Sequence, residues 1–310
     1  MRIVITEFMD AAAVDLLSAH HATHYDPTLV DRRDELKSRL VDADALIVRN
    51  RTQVNAELLG AAPRLSVVGR LGVGLDNIDV VTCAQRGVNV IPATGANALA
   101  VAEYVIAAAM LLLRGAYFAT PDVAAGRWPR NALSNGRELS GKTLGIVGFG
   151  GIGRLTARLA RALGMEVAAF DAQLPAGDAA WEDEAVQPRT LDALLTRADV
   201  LTLHVPLLPA TRHLVDASRI AAMKRGAILI NTSRGGVVDE AAVATALTSG
   251  HLGGAALDVF EHEPLPEGSP LAGCPNLLLT PHIAGVTAES NERVSSMIAE
   301  RIITALAALR

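Results

Sequence analysis

Cysteine is scarce in this 310-residue chain, which holds only Cys83 and Cys274. Two separated thiols exclude a disulfide framework, and neither has metal-ligand spacing with another donor, so free thiols in a reducing cytoplasm are expected. Lysine is almost missing as well: Lys37, Lys142 and Lys224 are the only three, and the arginines that carry the remaining positive charge form no basic block. With a formal net charge of -5 the chain has no electrostatic footprint for nucleic acid, and none is expected as a partner. No apolar run reaches the length of a membrane span. The longest, 98–113, contains Glu103, and Glu7 comes too early for a signal peptide. A soluble cytoplasmic protein without membrane contact is therefore expected. No His/Cys/Asp/Glu group has the spacing of a metal site, so no metal is expected.

What is present is an ordinary globular composition, 50% hydrophobic and 20% charged, over a length that suits two domains. Short apolar runs alternate with helical patterns from end to end, which predicts parallel sheets with helices on both faces. Strands are expected at 2–6, 45–48, 65–69 and 88–91, with helices at 10–20, 54–61 and 77–86 between them. Asp10 and Asn77 are the expected N-caps of the first and third helices. After a long apolar helix at 98–113, a second series has strands at 143–148, 166–170, 200–204, 227–231, 255–259 and 277–280. One helix in this series has Ile152, Leu155, Leu159 and Leu163 on a stripe and stops at Gly164; another starts near Asp239 and turns Val243 and Leu247 inward. A last helix carries Val294, Ile298, Ile302, Ile303 and Leu306.

Lys142-Thr-Leu-Gly-Ile-Val-Gly148-Phe-Gly150-Gly151-Ile152-Gly153 is a strand running into a glycine-rich turn and a helix. Gly148 permits the turn, Gly150 lets backbone approach a pyrophosphate, and Gly153 allows close helix–strand packing. The helix N-terminus then offers amides and a positive dipole end to phosphates. Asp171, at the end of the next strand, is placed to accept hydrogen bonds from ribose hydroxyls. It would repel a 2′-phosphate, and no cation beside it compensates, so NAD is expected rather than NADP.

Three later stretches place reactive residues at strand ends: Ile230-Asn-Thr232-Ser-Arg234-Gly-Gly, Ala256-Leu-Asp258-Val-Phe-Glu-His-Glu263-Pro and Thr280-Pro-His282-Ile-Ala-Gly285. In an open parallel sheet, residues just past the carboxyl ends of strands line the ligand crevice, so Arg234, Asp258, Glu263 and His282 can converge. Together with Gly72-Val73-Gly74-Leu-Asp76-Asn77, Ala96-Asn97, Val101-Ala-Glu103 and His204-Val-Pro-Leu, these stretches resemble the D-isomer-specific 2-hydroxyacid dehydrogenases. That family includes the phosphoglycerate, glycerate and D-lactate dehydrogenases, and the resemblance covers nearly the whole chain.

The resemblance implies a Rossmann NAD-binding domain, 98–283, inserted into a flavodoxin-like substrate domain of 1–97 plus 284–310, both doubly wound α/β. It implies hydride transfer between NAD and C2 of a small 2-hydroxy or 2-oxo acid. His282 matches the acid/base, and a histidine titrates where such a role needs it. Glu263 matches the carboxylate that orients the imidazole, with Glu261 and His262 as neighbouring rivals. Arg234 matches the guanidinium that holds the substrate carboxylate and polarises its carbonyl. Asp258 matches a residue near the nicotinamide carboxamide, and Val73 with Gly74 matches a loop whose amides grip the carboxylate. Cofactor contacts are implied at Asn97, Gly151, Ile152, Thr232, Gly285 and His204, the last equally open to a structural role.

Substrate choice is less determined. Arg49 and Arg51 end a first-domain strand and match a stretch that holds the phosphate in phosphoglycerate dehydrogenases, and Arg70 could add a third cation. A second anion at C3, as in 3-phosphoglycerate or 3-sulfolactate, is the expectation, and 7–10 with 48–54 give the look of the sulfolactate dehydrogenase branch. Structural ion pairing of these arginines is the alternative. So are a general hydroxypyruvate/glyoxylate reductase, a D-lactate-type dehydrogenase and, from another class, an NAD(H)-sensing corepressor-like binding protein. The family also implies a homodimer with the long apolar helix in the contact.

Overall fold

The computed structural model describes residues 1–309. The chain divides into two compact units, Met1–Asn97 with the residues from Val286 onward, and Ala98–Gly285. The return crossing follows Gly285, where the sequence places it after 283.

The first unit holds β1 (Arg2–Ile5), β2 (Ala22–Tyr25), β3 (Ala45–Val48), β4 (Val67–Arg70) and β5 (Asn89–Pro92). They pair in parallel in the order β2-β1-β3-β4-β5, the flavodoxin-like arrangement. Strand β3 is buried along its whole length, as a central parallel strand covered on both faces must be. In this unit one strand and one α-helix escape sequence expectation. Strand β2 lies at the sheet edge with no buried residue, and so carries no apolar pattern. The helix Arg33–Leu40 buries only Leu36 and Leu40 amid charged neighbours.

Asp10 caps the helix Ala11–His20 by accepting from Ala12 N at 3.0 Å. Asn77 does not cap the third helix. That helix is Val80–Gln85, and Asp79 caps it by accepting from Thr82 N. The buried Asn77 amide instead donates to Thr52 O (2.7 Å) and Arg49 O (3.3 Å), because those carbonyls follow β3 and need partners. The helix Ala288–Ala307 opens with a Thr287–Ser290 capping box and lays Val294, Ile298, Ile302 and Leu306 into the core of this unit.

The second unit holds β6 (Thr143–Val147), β7 (Glu166–Phe170), β8 (Gln187–Pro188), β9 (Val200–Leu203), β10 (Ala227–Asn231), β11 (Leu252–Leu257) and β12 (Leu277–Leu279). Their order is β12-β11-β10-β9-β6-β7-β8, all parallel. The winding reverses between β6 and β9, the point at which doubly wound sheets bind ligands. Along β10, Ile228 and Ile230 enter the core on one face while Leu229 enters the core on the other.

The helix Gly151–Ala162 departs from its expected stripe. Gly153, Thr156, Ala157 and Ala160 are its buried face, whereas Ile152, Leu155 and Leu159 are half-buried and Leu163 is exposed. Close approach explains this: small residues let the helix sit against the sheet and against the neighbouring helix Ala98–Arg114, leaving the larger side chains at the margins. Ala98–Arg114 is mostly buried, and among the described residues no single helix is long and apolar enough to cross a membrane.

Candidate active site

Strand β6 delivers Gly148 into a turn with φ +94, and a Cβ there would meet His204 O at 2.4 Å. One turn later a Cβ on Gly153 would meet Gly148 O at 2.3 Å, so only glycine lets the helix start this close to the strand. At Gly150 and Gly151 a Cβ would meet nothing within 4 Å, so the backbone of the turn faces open space. Gly150 is the N-cap of a helix that has no side-chain cap, which leaves its first amides for an external anion. Asp171, just past β7, accepts from Phe149 N (2.7 Å) and Gln173 N (2.8 Å). Its carboxylate therefore braces the glycine turn and retains lone pairs for hydroxyl donors.

Two buried polar atoms at expected cofactor positions have no hydrogen-bond partner: Oδ1 of Asn97, at the end of the first unit's first segment, and Oγ1 of Thr232, just past β10. Buried polar atoms are rarely left unpaired without a ligand or water to serve them. The glycine turn, the uncapped helix, Asp171 and the orphaned Thr232 Oγ1, all within the second unit, fit a dinucleotide. His204 donates or accepts through Nε2 with Thr202 Oγ1 at 3.1 Å. Desolvation of its ring pushes its pKa down to about 4 although the residue keeps partial exposure, so the ring is neutral at physiological pH.

Past β10 the chain turns sharply. Asn231 Oδ1 accepts from Ser233 N (3.0 Å) and Ser233 Oγ (2.7 Å), and Asn231 Nδ2 donates to Arg234 O (3.0 Å). Arg234 Nη1 donates to Ser233 O at 2.6 Å. Gly235 then presses against the neighbouring chain so closely that a Cβ would lie 1.7 Å from Phe260 O. Phe260 N in turn donates to Glu263 Oε1 (3.1 Å), and Glu263 Oε2 pairs with His282 Nδ1 at 2.8 Å. These contacts tie the turns bearing Arg234, Glu263 and His282 into one assembly. The bond at Nδ1 leaves Nε2 of His282 without a partner among the described residues. Glu261 and His262 do not share this role: Glu261 pairs with His213 at 2.9 Å, and both line a separate depression with Glu240.

Asp258 is only 1% exposed, and its carboxylate is occupied by this chain. Oδ1 accepts from Thr280 Oγ1 (2.6 Å) and Ile283 N (2.8 Å), and Oδ2 accepts from Ala284 N (2.8 Å), one residue before Gly285. It is the organiser of the His282 loop, a role the sequence did not suggest. Asn231 and Thr280 were likewise unassigned, although both stand inside the recognised stretches. Among the described residues, no three His, Cys, Asp or Glu side chains gather as a metal site.

In the first unit the three expected cations part company. A buried Glu7 carboxylate accepts from four consecutive amides, Arg49 N (2.9 Å), Asn50 N (3.3 Å), Arg51 N (3.0 Å) and Thr52 N (3.0 Å). Burial works to raise its pKa, but the amides of Thr52, Arg49 and Arg51 together hold it below the ordinary value. Arg51 turns its guanidinium to Asp31, an exposed ion pair, and so departs from the expected anion cluster. Arg70 folds its guanidinium back onto Leu71 O (2.7 Å) over the α-carbon of Gly72. Arg49 is half-buried and donates to a neutral side chain, Asn291 Oδ1 (2.8 Å), with the Phe8 ring beneath it. In the same unit, the amides of Val73 and Gly74 donate to no described residue.

A dinucleotide-binding Rossmann unit with an Arg, a Glu–His pair and strand-end turns defines an NAD-dependent oxidoreductase. The family described as D-isomer specific 2-hydroxyacid dehydrogenase, NAD binding domain, matches residues 106–284. The chain belongs to the D-isomer-specific 2-hydroxyacid dehydrogenases. It is similar to an (S)-sulfolactate dehydrogenase of Chromohalobacter salexigens, 54% identical over 304 residues covering 98% of each chain. It is also similar to a D-3-phosphoglycerate dehydrogenase of Mycobacterium bovis, 42% identical over 89% of this chain but only 51% of that one. Among solved structures, the TT0316 protein of Thermus thermophilus superposes with a TM-score of 0.87 at 34% identity, covering 99% of this chain and 97% of that one. The cofactor is NAD, and the reaction is the oxidation and reduction of a 2-hydroxy acid at C2.

Proposed function

We propose that the protein is a 3-sulfolactate dehydrogenase, interconverting 3-sulfolactate and its 2-oxo acid, sulfopyruvate. The observation that carries this is Arg49, a half-buried guanidinium with a neutral amide partner and no carboxylate paired to it. The Glu7 carboxylate favours its charge without forming an ion pair with it and is spent on four backbone amides, so an anionic ligand can still pair with the guanidinium. One guanidinium flanked by an amide matches the single charge of a sulfonate better than a phosphate dianion, for which Arg51 is already neutralised by Asp31. The 54% identical relative named for (S)-sulfolactate supports the same choice.

Bound NAD supplies the hydride acceptor and donor for C2. His282, held through Nδ1 by Glu263, takes the hydroxyl proton at Nε2 during oxidation and returns it to the carbonyl oxygen during reduction. Arg234 fixes the carboxylate and polarises the C2 oxygen. Leu99, Met110, Tyr117, Phe118, Val123 and Trp128 are exposed apolar side chains on and after the helix Ala98–Arg114, which supports a homodimer built on that helix. Two free cysteines support a cytoplasmic setting. Light scattering on wild type and Trp128→Asp tests the dimer, which should weaken in the variant.

NADH oxidation with sulfopyruvate, phosphohydroxypyruvate, hydroxypyruvate, glyoxylate and pyruvate tests the substrate. Sulfopyruvate should have the highest kcat/KM, falling steeply in Arg49→Ala and little in Arg51→Ala. Equal or faster turnover of the singly charged acids would make this a general 2-oxoacid reductase. Tight NADH binding with no turnover of any acid would make it a sensor.

A further inference from the structure

We propose that Tyr104 and Thr280 are positioning residues of the acid–base loop, holding His282 in place through the Asp258 carboxylate. The inference rests on His282 being the acid–base group.

His282 sits with φ +56, in the left-handed region that a histidine adopts only when its surroundings impose it. The clamp is visible on both sides. Its amide donates to Asp258 O (2.8 Å) and Thr280 O (3.0 Å), while the next two amides, Ile283 and Ala284, donate to the Asp258 carboxylate. The imidazole direction is thus set by where the buried Asp258 side chain lies. What holds that side chain from the other direction is Thr280 Oγ1 at 2.6 Å, and beyond it Tyr104 OH, 2.6 Å from the same Thr280 oxygen.

The direction of this relay follows from the inventory of donors. An ionised carboxylate only accepts, so the single Thr280 hydroxyl proton points at Asp258. Thr280 Oγ1 then has lone pairs alone for Tyr104, which must donate. Burial raises the Tyr104 pKa above the ordinary phenol value, so the proton stays where the relay needs it. Both bonds are short, as hydroxyl donation to, or in series with, a carboxylate should be. Tyr104 lies on the helix Ala98–Arg114, whose buried residues are all apolar. Its ring would pack there equally well as phenylalanine, and the hydroxyl has one hydrogen-bond partner, Thr280. The relay therefore anchors a strained catalytic loop, after β12, to the longest helix before the glycine turn.

The test uses the full-length protein with NADH and its preferred 2-oxo acid, comparing Tyr104→Phe, Thr280→Val, Thr280→Ser, the Tyr104→Phe/Thr280→Val pair and His282→Asn. Tyr104→Phe should lower kcat about 5-fold and Thr280→Val about 50-fold, since small displacements of a reacting group are expensive in rate. KM for NADH should not change in either, because the glycine turn is untouched. Thr280→Ser, which keeps the hydroxyl, should recover most of the rate lost in Thr280→Val. The double variant should be no slower than Thr280→Val alone, since Tyr104 acts only through Thr280. Unchanged kcat in Tyr104→Phe and Thr280→Val, additive losses in the pair, or failure of serine to rescue would each overturn the proposal. His282→Asn separates this from the reading beneath it: if that variant keeps wild-type turnover, the acid–base assignment itself falls.

Discussion

Replacing Glu7 by glutamine probes the first unit at its most concentrated point. The carboxylate is 4% exposed and receives four consecutive backbone amides at 2.9 to 3.3 Å. A glutamine oxygen can still serve two of them, but its NH2 group confronts the other two with donor against donor. Each amide that loses a charged acceptor costs about 1.5–3 kcal/mol, part of which is returned because no charge is then buried, so the net loss is about 2–4 kcal/mol. The sign with pH follows from the depressed pKa of Glu7. Its stabilisation is complete above the carboxylate's unfolded value and is lost as pH falls through the lower folded value. Urea unfolding of wild type and Glu7→Gln should therefore differ at pH 7.5 and converge in acid. The same variant should raise KM for the doubly anionic substrate about 10-fold, through the loosened Arg49 loop, with KM for NADH unchanged. Stabilities equal within about 0.5 kcal/mol at pH 7.5 would refute this reasoning, because that is the scatter of an ordinary surface change.

Three further outcomes are expected. Gly235→Ala forces a Cβ to within 1.7 Å of Phe260 O, so the turns bearing Arg234 and Glu263 must separate; thermal unfolding should show a loss of at least about 2 kcal/mol, with a fall in kcat. His204, with its pKa pushed down to about 4, stays neutral in the fold where the unfolded chain takes up a proton. Stability should then fall by about 3 kcal/mol between pH 6.5 and 4, and His204→Gln should flatten that limb in acid titrations of unfolding. Asp171→Ala removes the acceptor of Phe149 N and the charge that repels a 2′-phosphate; KM for NADH should rise about 10-fold while the preference over NADPH narrows, as steady-state kinetics with the two cofactors would show.

Much of the molecule was legible in the chain itself, for reasons that differ by element. The central strands β1, β3, β6 and β10 are buried on both faces, so their apolar runs announce them; the edge strand β2 and the polar helix Arg33–Leu40 bury too little to leave a pattern. The glycine turn was legible because close approach can be met in only one way, and the clashes a Cβ would make at Gly148 and Gly153 state that constraint in ångströms. Spacing on a helical wheel misjudged the helix Gly151–Ala162, since a wheel ranks residues by hydrophobicity while the packed face there is chosen by size.

Local sequence determined the residue types of the candidate catalytic set, the strand-end positions of Arg234, Glu263 and His282, and the nucleotide turn, because each depends on a few neighbouring residues and on backbone geometry. Tertiary structure alone decided which partners those side chains take. Asn77 leaves the helix cap to Asp79 and serves two carbonyls just past β3. Arg51 is claimed by Asp31 and Arg49 by Asn291, from a helix 242 positions away in the chain. Asp258 spends its carboxylate on the loop of His282, and Tyr104 reaches that loop across 176 positions. Hydrogen bonds of about 3 Å have no reach along a sequence; they exist only where folding has already brought donor and acceptor together.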